Sequence, residues 1–118
     1  VKRSVEKLRA AEAMASLVSA KDQQFGRSLE NMRRDAWMAL GLYYEHNWTA
    51  DGPVSRVDRS LWQRKIEKQL SVYVDSLYLM AQEKLGAQIT TSGKNMRFYA
   101  FNSLSSSFVN CTASAPMF

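Results

Sequence analysis

The sequence predicts an all-α fold: a three-helix bundle in up-down-up order, followed by an extended, β-prone C-terminal segment. Three observations carry that expectation. Three stretches repeat apolar residues at steps of three and four, the period of an amphipathic helix. Two breakers separate them, "KDQQFG" and the strong turn "NWTADGPVSR". The one β-prone stretch, "MRFYAFNSL", has no partner strand in the chain.

The first helix is expected from Ser4 to Val18, with a stripe of Val5, Leu8, Ala11, Met14 or Ala15, and Val18. Alanine and glutamate are frequent there and favour helix. Ser28 is the expected cap of the second helix. Its stripe is Leu29, Met32, Ala36, Leu40 and Tyr43, with Trp37 and Tyr44 on a flank and Asn31, Arg33, Arg34 and Asp35 outward. Asp51-Gly52-Pro53 then denies a helix its backbone geometry and a donor.

Ser55 or Asp58 can cap the third helix. Leu61, Trp62, Ile66, Leu70, Tyr73, Leu77, Met80 and Lys84 recur along it from Asp58 to Leu85, roughly 40 Å at 1.5 Å per residue. Gly86 is placed to stop it in a left-handed conformation. Trp37, Tyr43, Trp62 and Tyr73 read most simply as core. "AQITTSGKN" reads as a loop, and Met96 to Leu104 as a strand. The expected organisation is therefore a helical domain over 1–90 and, over 91–118, a linker and the first strand of a following domain.

A chain of 118 residues, 46% hydrophobic and 23% charged, holds one small globular domain and one modest core. No apolar run reaches membrane-spanning length, and "VKRSVEKLRAAEA" is not a secretory leader. A start at Val1 and an end in "CTASAPMF" read as cuts in a longer chain, so the compartment stays open. A single cysteine, Cys111, excludes an intrachain disulfide and a cysteine metal site.

The net charge of +5 permits nucleic-acid or acidic-protein binding. Lys2, Arg3, Lys7 and Arg9 lie on the first helix, and Arg56, Arg59, Arg64, Lys65 and Lys68 on the third. The plainer account is a solvated outer face, because Glu6, Glu12, Glu67 and Asp75 are interleaved.

His46 is the only histidine, in "LYYEHNWTADGP". One histidine cannot hold a zinc ion, which takes about three protein ligands in a catalytic site. It is either a helix-end histidine favoured by the helix dipole or one ligand among several from elsewhere. Glu45 and Asp51 flank it, and Trp48 beside it suits a sugar-binding wall or a loop anchor.

"AWMALGLYYEHNWTADGPVSRVDRSLWQRKIEKQ" resembles the helical middle domain of glycoside hydrolase family 38 α-mannosidases, closest to bacterial-type members. Those carry W-x-x-L-x-L-Y-[DE]-E-H-T-W-G-A, then S-V-S-x-P-D-S and a helix with an early tryptophan. The matching residues are Trp37, Leu40, Leu42, Tyr43, Glu45, His46, Trp48, Ala50, Val54, Ser55, Asp58 and Trp62. "LRAAEAMASLVS" is similar to the family's upstream helix, and "FYAFNSLS" to the V-F-N-P-L-S-W strand that opens its C-terminal β-sandwich.

The resemblance implies a parent that hydrolyses terminal α-mannosidic bonds of oligosaccharides and glycans with retention, using two carboxylates of an N-terminal barrel. It implies a zinc ion that grips sugar hydroxyls, with His46 as the ligand from the middle domain and Glu45, Asn47 and Trp48 at the site wall. This chain alone would be inactive, would hold zinc weakly or not at all, and could self-associate through exposed interfaces. Its partners would be mannosides and the parent's barrel and β-sandwich; nucleic acid and membrane are not expected. The sequence departs from the pattern at Asn47 and Thr49, where the family has threonine and glycine, and at Ser103 in place of proline.

Overall fold

The structure, a computed structural model, describes residues 1–45, 54–90, 92–94 and 99–103. Among these residues it is all-helical: three α-helices, one short 3-10 turn and no strand.

Helix α1, Lys2–Ser19, buries Leu8, Ala11, Met14 and Val18. These are the expected stripe, and Val5 and Ala15 pack partly against the core beside it. The chain then turns. The Asp22 carboxylate accepts from the Gln24 N–H at 3.1 Å, and Gly26 takes a left-handed φ of 81°. That conformation costs most side chains about 1 kcal/mol and glycine almost nothing.

A 3-10 turn, Arg27–Leu29, leads into α2, Glu30–Tyr44. Ser28 does not cap this helix. It sits exposed inside the 3-10 turn, and Leu29 takes the N-cap position with no side-chain hydrogen bond. Leu29 is there because its side chain is buried in the core. The helix start answers to packing, and Glu30 in the first turn offsets the helix dipole.

Helix α3, Arg56–Ala87, runs 32 residues, about 48 Å at 1.5 Å per residue. Ser55 caps it: its hydroxyl accepts from the Asp58 N–H at 3.1 Å and donates to the Asp58 carboxylate at 2.7 Å. Gly86 does not end it. The helix passes through Gly86 to Ala87, Gln88 closes it in right-handed geometry, and among the described residues the positive-φ glycines are Gly26 and Gly93.

Both α1 and α2 pack on α3. Pairings along α2 and α3 run in opposite directions. Leu29 shares a groove with Leu77, Arg33 meets Tyr73, and Asp35 lies near Lys65 and Gln69. Lys7 anchors α1 to α3, pairing with Asp75 at 2.6 Å and lying 4.8 Å from the Tyr78 ring centre.

Because α1 has 18 residues and α2 has 15, neither matches α3 in length. The buried residues of α3 are Ile66, Leu70, Tyr73, Val74, Leu77 and Ala81, so burial begins only in its third turn. This corrects the expected aromatic core. Tyr73 is buried, but Trp37, Tyr43 and Trp62 are exposed, and so is Leu61. Small Ala36 and Ala39 occupy the buried face of α2, which lets the α2 backbone approach α3 and turns Trp37 outward.

Tyr99–Ser103 form neither helix nor strand, and Tyr99 and Phe101 are exposed. The expected strand has no support among the described residues; 96–98 and Leu104 lie outside them.

Candidate functional site

Two places merit examination: the end of α2, where the sequence pointed, and a groove that it did not indicate.

At the first, α2 stops at Tyr44, and Glu45 takes extended backbone with φ −68° and ψ 119°. Glu45 is exposed. Tyr43 and Tyr44 contact edge to face, ring centres 5.4 Å apart. On the other side of the turn, Ser55 and Asp58 fix the start of α3. The remaining expected site residues, His46, Asn47 and Trp48, lie outside the described residues. Among the described residues no group of three His, Cys, Asp or Glu side chains is arranged to hold a metal ion.

The residues flanking this turn are unusually apolar for a solvent face. Trp37, Met38, Tyr43 and Tyr44 on α2 are exposed, as are Val54, Val57, Leu61 and Trp62 at the start of α3. The first turns of α3 lie outside the buried stripe, which begins at Ile66, so Leu61 and Trp62 keep a core spacing but stay exposed. Such concentrations of apolar surface mark contact faces.

The same stretch of α3 is basic. Arg56, Arg64, Lys65 and Lys68 are exposed, and the Lys65 ammonium lies 5.0 Å from the centre of the Trp62 ring. Among the described residues no helix is long and apolar enough to cross a membrane.

The second place is a groove of about 410 Å³ where the end of α1, the connecting turn and the start of α2 meet α3. Glu12 enters from α1, Arg33 from α2 and Tyr73 from α3. One carboxylate oxygen of Glu12, Oε1, is buried without a hydrogen-bond partner. The Tyr73 hydroxyl faces both charges. Burial first, and then the Glu12 charge, push its pKa above the ordinary 10.0, while Arg33 partly offsets them.

The sequence assigns Glu12 and Arg33 to outer faces; Arg33 is exposed as expected, and the structure corrects Glu12 alone. Glu12 is half-buried because it follows the core residue Ala11 and stands one turn beyond Leu8, at the edge of the buried stripe. Arg33, though exposed, lines the groove with Tyr73, and its charge acts on the Tyr73 hydroxyl. The available signal was the edge position of Glu12; no motif marks the groove.

Comparisons with protein-family models, with curated proteins and with solved structures found no match to this chain.

Proposed function

We propose that the chain is the helical middle domain of a zinc-dependent, retaining α-mannosidase of glycoside hydrolase family 38, with its helices in up-down-up order and 91–118 leading into a β-sandwich. The parent hydrolyses terminal α-mannosidic bonds in oligosaccharides and glycans. A barrel domain supplies the two carboxylates of the retaining scheme. His46 is the middle domain's zinc ligand, and Glu45, Asn47 and Trp48 form the adjoining wall.

One observation supports this beyond the motif. Exposed apolar residues on both helices, Trp37, Met38, Tyr43 and Tyr44 on α2 and Val57, Leu61 and Trp62 on α3, flank the segment that carries "EHNW". A helical domain that presents part of another domain's site needs a contact face beside the residues it presents. Burying such a face against a neighbour is favourable by roughly 25 cal/mol per Å² of apolar surface.

The other zinc ligands would come from the parent's barrel domain. This chain has one histidine, and no metal-holding group occurs among the described residues. When bound in the parent, zinc orients and polarises the sugar hydroxyls. The role of this chain is positional: an α2 that ends at Tyr44 and a capped α3 hold the two ends of the intervening segment. The test is hydrolysis of an aryl α-mannoside. The 118-residue chain should show no turnover, and the full-length parent should show turnover that chelation abolishes and zinc restores. Zinc-dependent turnover by the isolated chain, or none by the parent, would overturn the proposal.

A second reading is favoured by the exposed Arg56, Arg64, Lys65 and Lys68 beside Trp62: a basic helical module for nucleic acid or an acidic protein. It predicts duplex binding that weakens steeply with salt. Binding that is weak and insensitive to salt would remove it.

A further inference from the structure

We propose that the groove between α1, α2 and α3 binds a small zwitterion with an apolar substituent, such as an aliphatic α-amino acid, its ammonium on Glu12 and its carboxylate on Arg33. The site is separate from the His46 turn and does not depend on the mannosidase proposal.

Four features of the groove converge. Its volume, about 410 Å³, is within the range of small-ligand sites. The buried Glu12 Oε1 has no donor, and a buried acceptor without a donor is a costly arrangement that a ligand N–H removes. An ammonium brings three donors to that oxygen and its surroundings.

Arg33, exposed to solvent, lines the same groove from α2. It interacts with the Tyr73 hydroxyl but forms no ion pair with Glu12, though both charges act on that hydroxyl. Its guanidinium keeps donors for a carboxylate, which it can grip with two parallel hydrogen bonds. A lone anion would leave the buried Glu12 oxygen without a donor, and a lone cation would not use the guanidinium donors of the exposed Arg33. Glu30 and Arg27 at the rim balance each other in sign as well, so the groove as a whole favours a molecule with both charges.

The remaining lining selects the third property. Phe25, Leu29 and Leu77 supply an apolar wall that suits a branched or aromatic substituent. Tyr73, itself buried, also lines the groove, and the charges of Glu12 and Arg33 both act on its hydroxyl.

The test is an amide NMR titration of the 118-residue chain with leucine, N-acetyl-leucine, leucinamide and mannose. Leucine should give saturable shifts confined to 12–19, 25–33 and 73–77. N-acetyl-leucine, which lacks the cation, and leucinamide, which lacks the anion, should each bind at least tenfold more weakly. Glu12→Gln should weaken leucine at least tenfold and leave N-acetyl-leucine unchanged, with helicity checked by far-UV circular dichroism. Should that variant unfold, the ligand comparison on the natural chain decides alone. Absence of saturable leucine shifts, equal binding of either capped analogue, or equal binding of mannose would overturn the proposal.

Discussion

Two leucines on α3 look alike in the sequence and differ sharply in the structure. Leu61 and Leu70 both belong to the apolar stripe, but Leu70 is 1% exposed and Leu61 is 56% exposed. Leu70→Ala removes three buried carbons. At about 0.8 kcal/mol per carbon the transfer loss is roughly 2.4 kcal/mol. The cavity left between α3 and the two helices packed on it adds to that, for a total of about 3–4 kcal/mol. Leu61→Ala should cost about 1 kcal/mol or less, because over half of the side chain is already in water. Urea unfolding followed by circular dichroism reads the difference. With a slope of roughly 1.5 kcal/mol per molar, Leu70→Ala should lower the midpoint by about 2 M and Leu61→Ala by well under 1 M. Equal shifts, or a larger one at Leu61, would mean that the first turns of α3 are packed in the core.

The same unfolding assay checks three further expectations. Gly86→Ala should be neutral or stabilise by up to ~1 kcal/mol, since Gly86 is helical and an added Cβ meets nothing within 4 Å; a loss of ~1 kcal/mol would instead indicate the left-handed stop. Ser55→Ala should cost about 1 kcal/mol by removing the cap on the Asp58 N–H, and no change would mean that the α3 start is held otherwise. The Tyr73 hydroxyl has a pKa raised above 10.0 by burial and by Glu12. The folded state therefore holds its proton longer than the unfolded state does. The resulting stability is complete below pH 10 and declines from there up to the folded pKa. Tyr73→Phe should lack this part of the alkaline decline, and identical slopes for both proteins between pH 9 and about 11.5 would refute the assignment.

The α1 stripe is legible in sequence because one helix face meets one neighbour along its whole length: Leu8, Ala11, Met14 and Val18 are all buried. Periodicity also gives α3 within two residues at either end, Arg56–Ala87 against an expected Asp58–Leu85. It does not say how much of that helix its neighbours cover, because coverage depends on the lengths and placement of α1 and α2. Leu61 and Trp62 therefore keep a core spacing and lie exposed. At Ser28 a polar side chain suited to capping gives way to Leu29, whose burial sets where α2 begins. Gly86 shows the complementary error, since glycine permits a left-handed stop without requiring one. The His46 motif is conspicuous because it holds the chain's one histidine and one of its three tryptophans. The groove is not, because Glu12, Arg33 and Tyr73 come together only through the packing of three helices. Charged residues at the edge of a helical stripe look the same in sequence whether they face water or a cleft.

The central claim is that His46 ligates zinc in a sugar site completed by other domains. Its most direct test is the zinc content of the purified full-length parent, natural and His46→Ala, measured beside α-mannosidase turnover. The expected result is close to one zinc per natural molecule, loss of most of it in the variant, and a fall in turnover of about a hundredfold or more. Unchanged zinc and unchanged turnover in His46→Ala would contradict it.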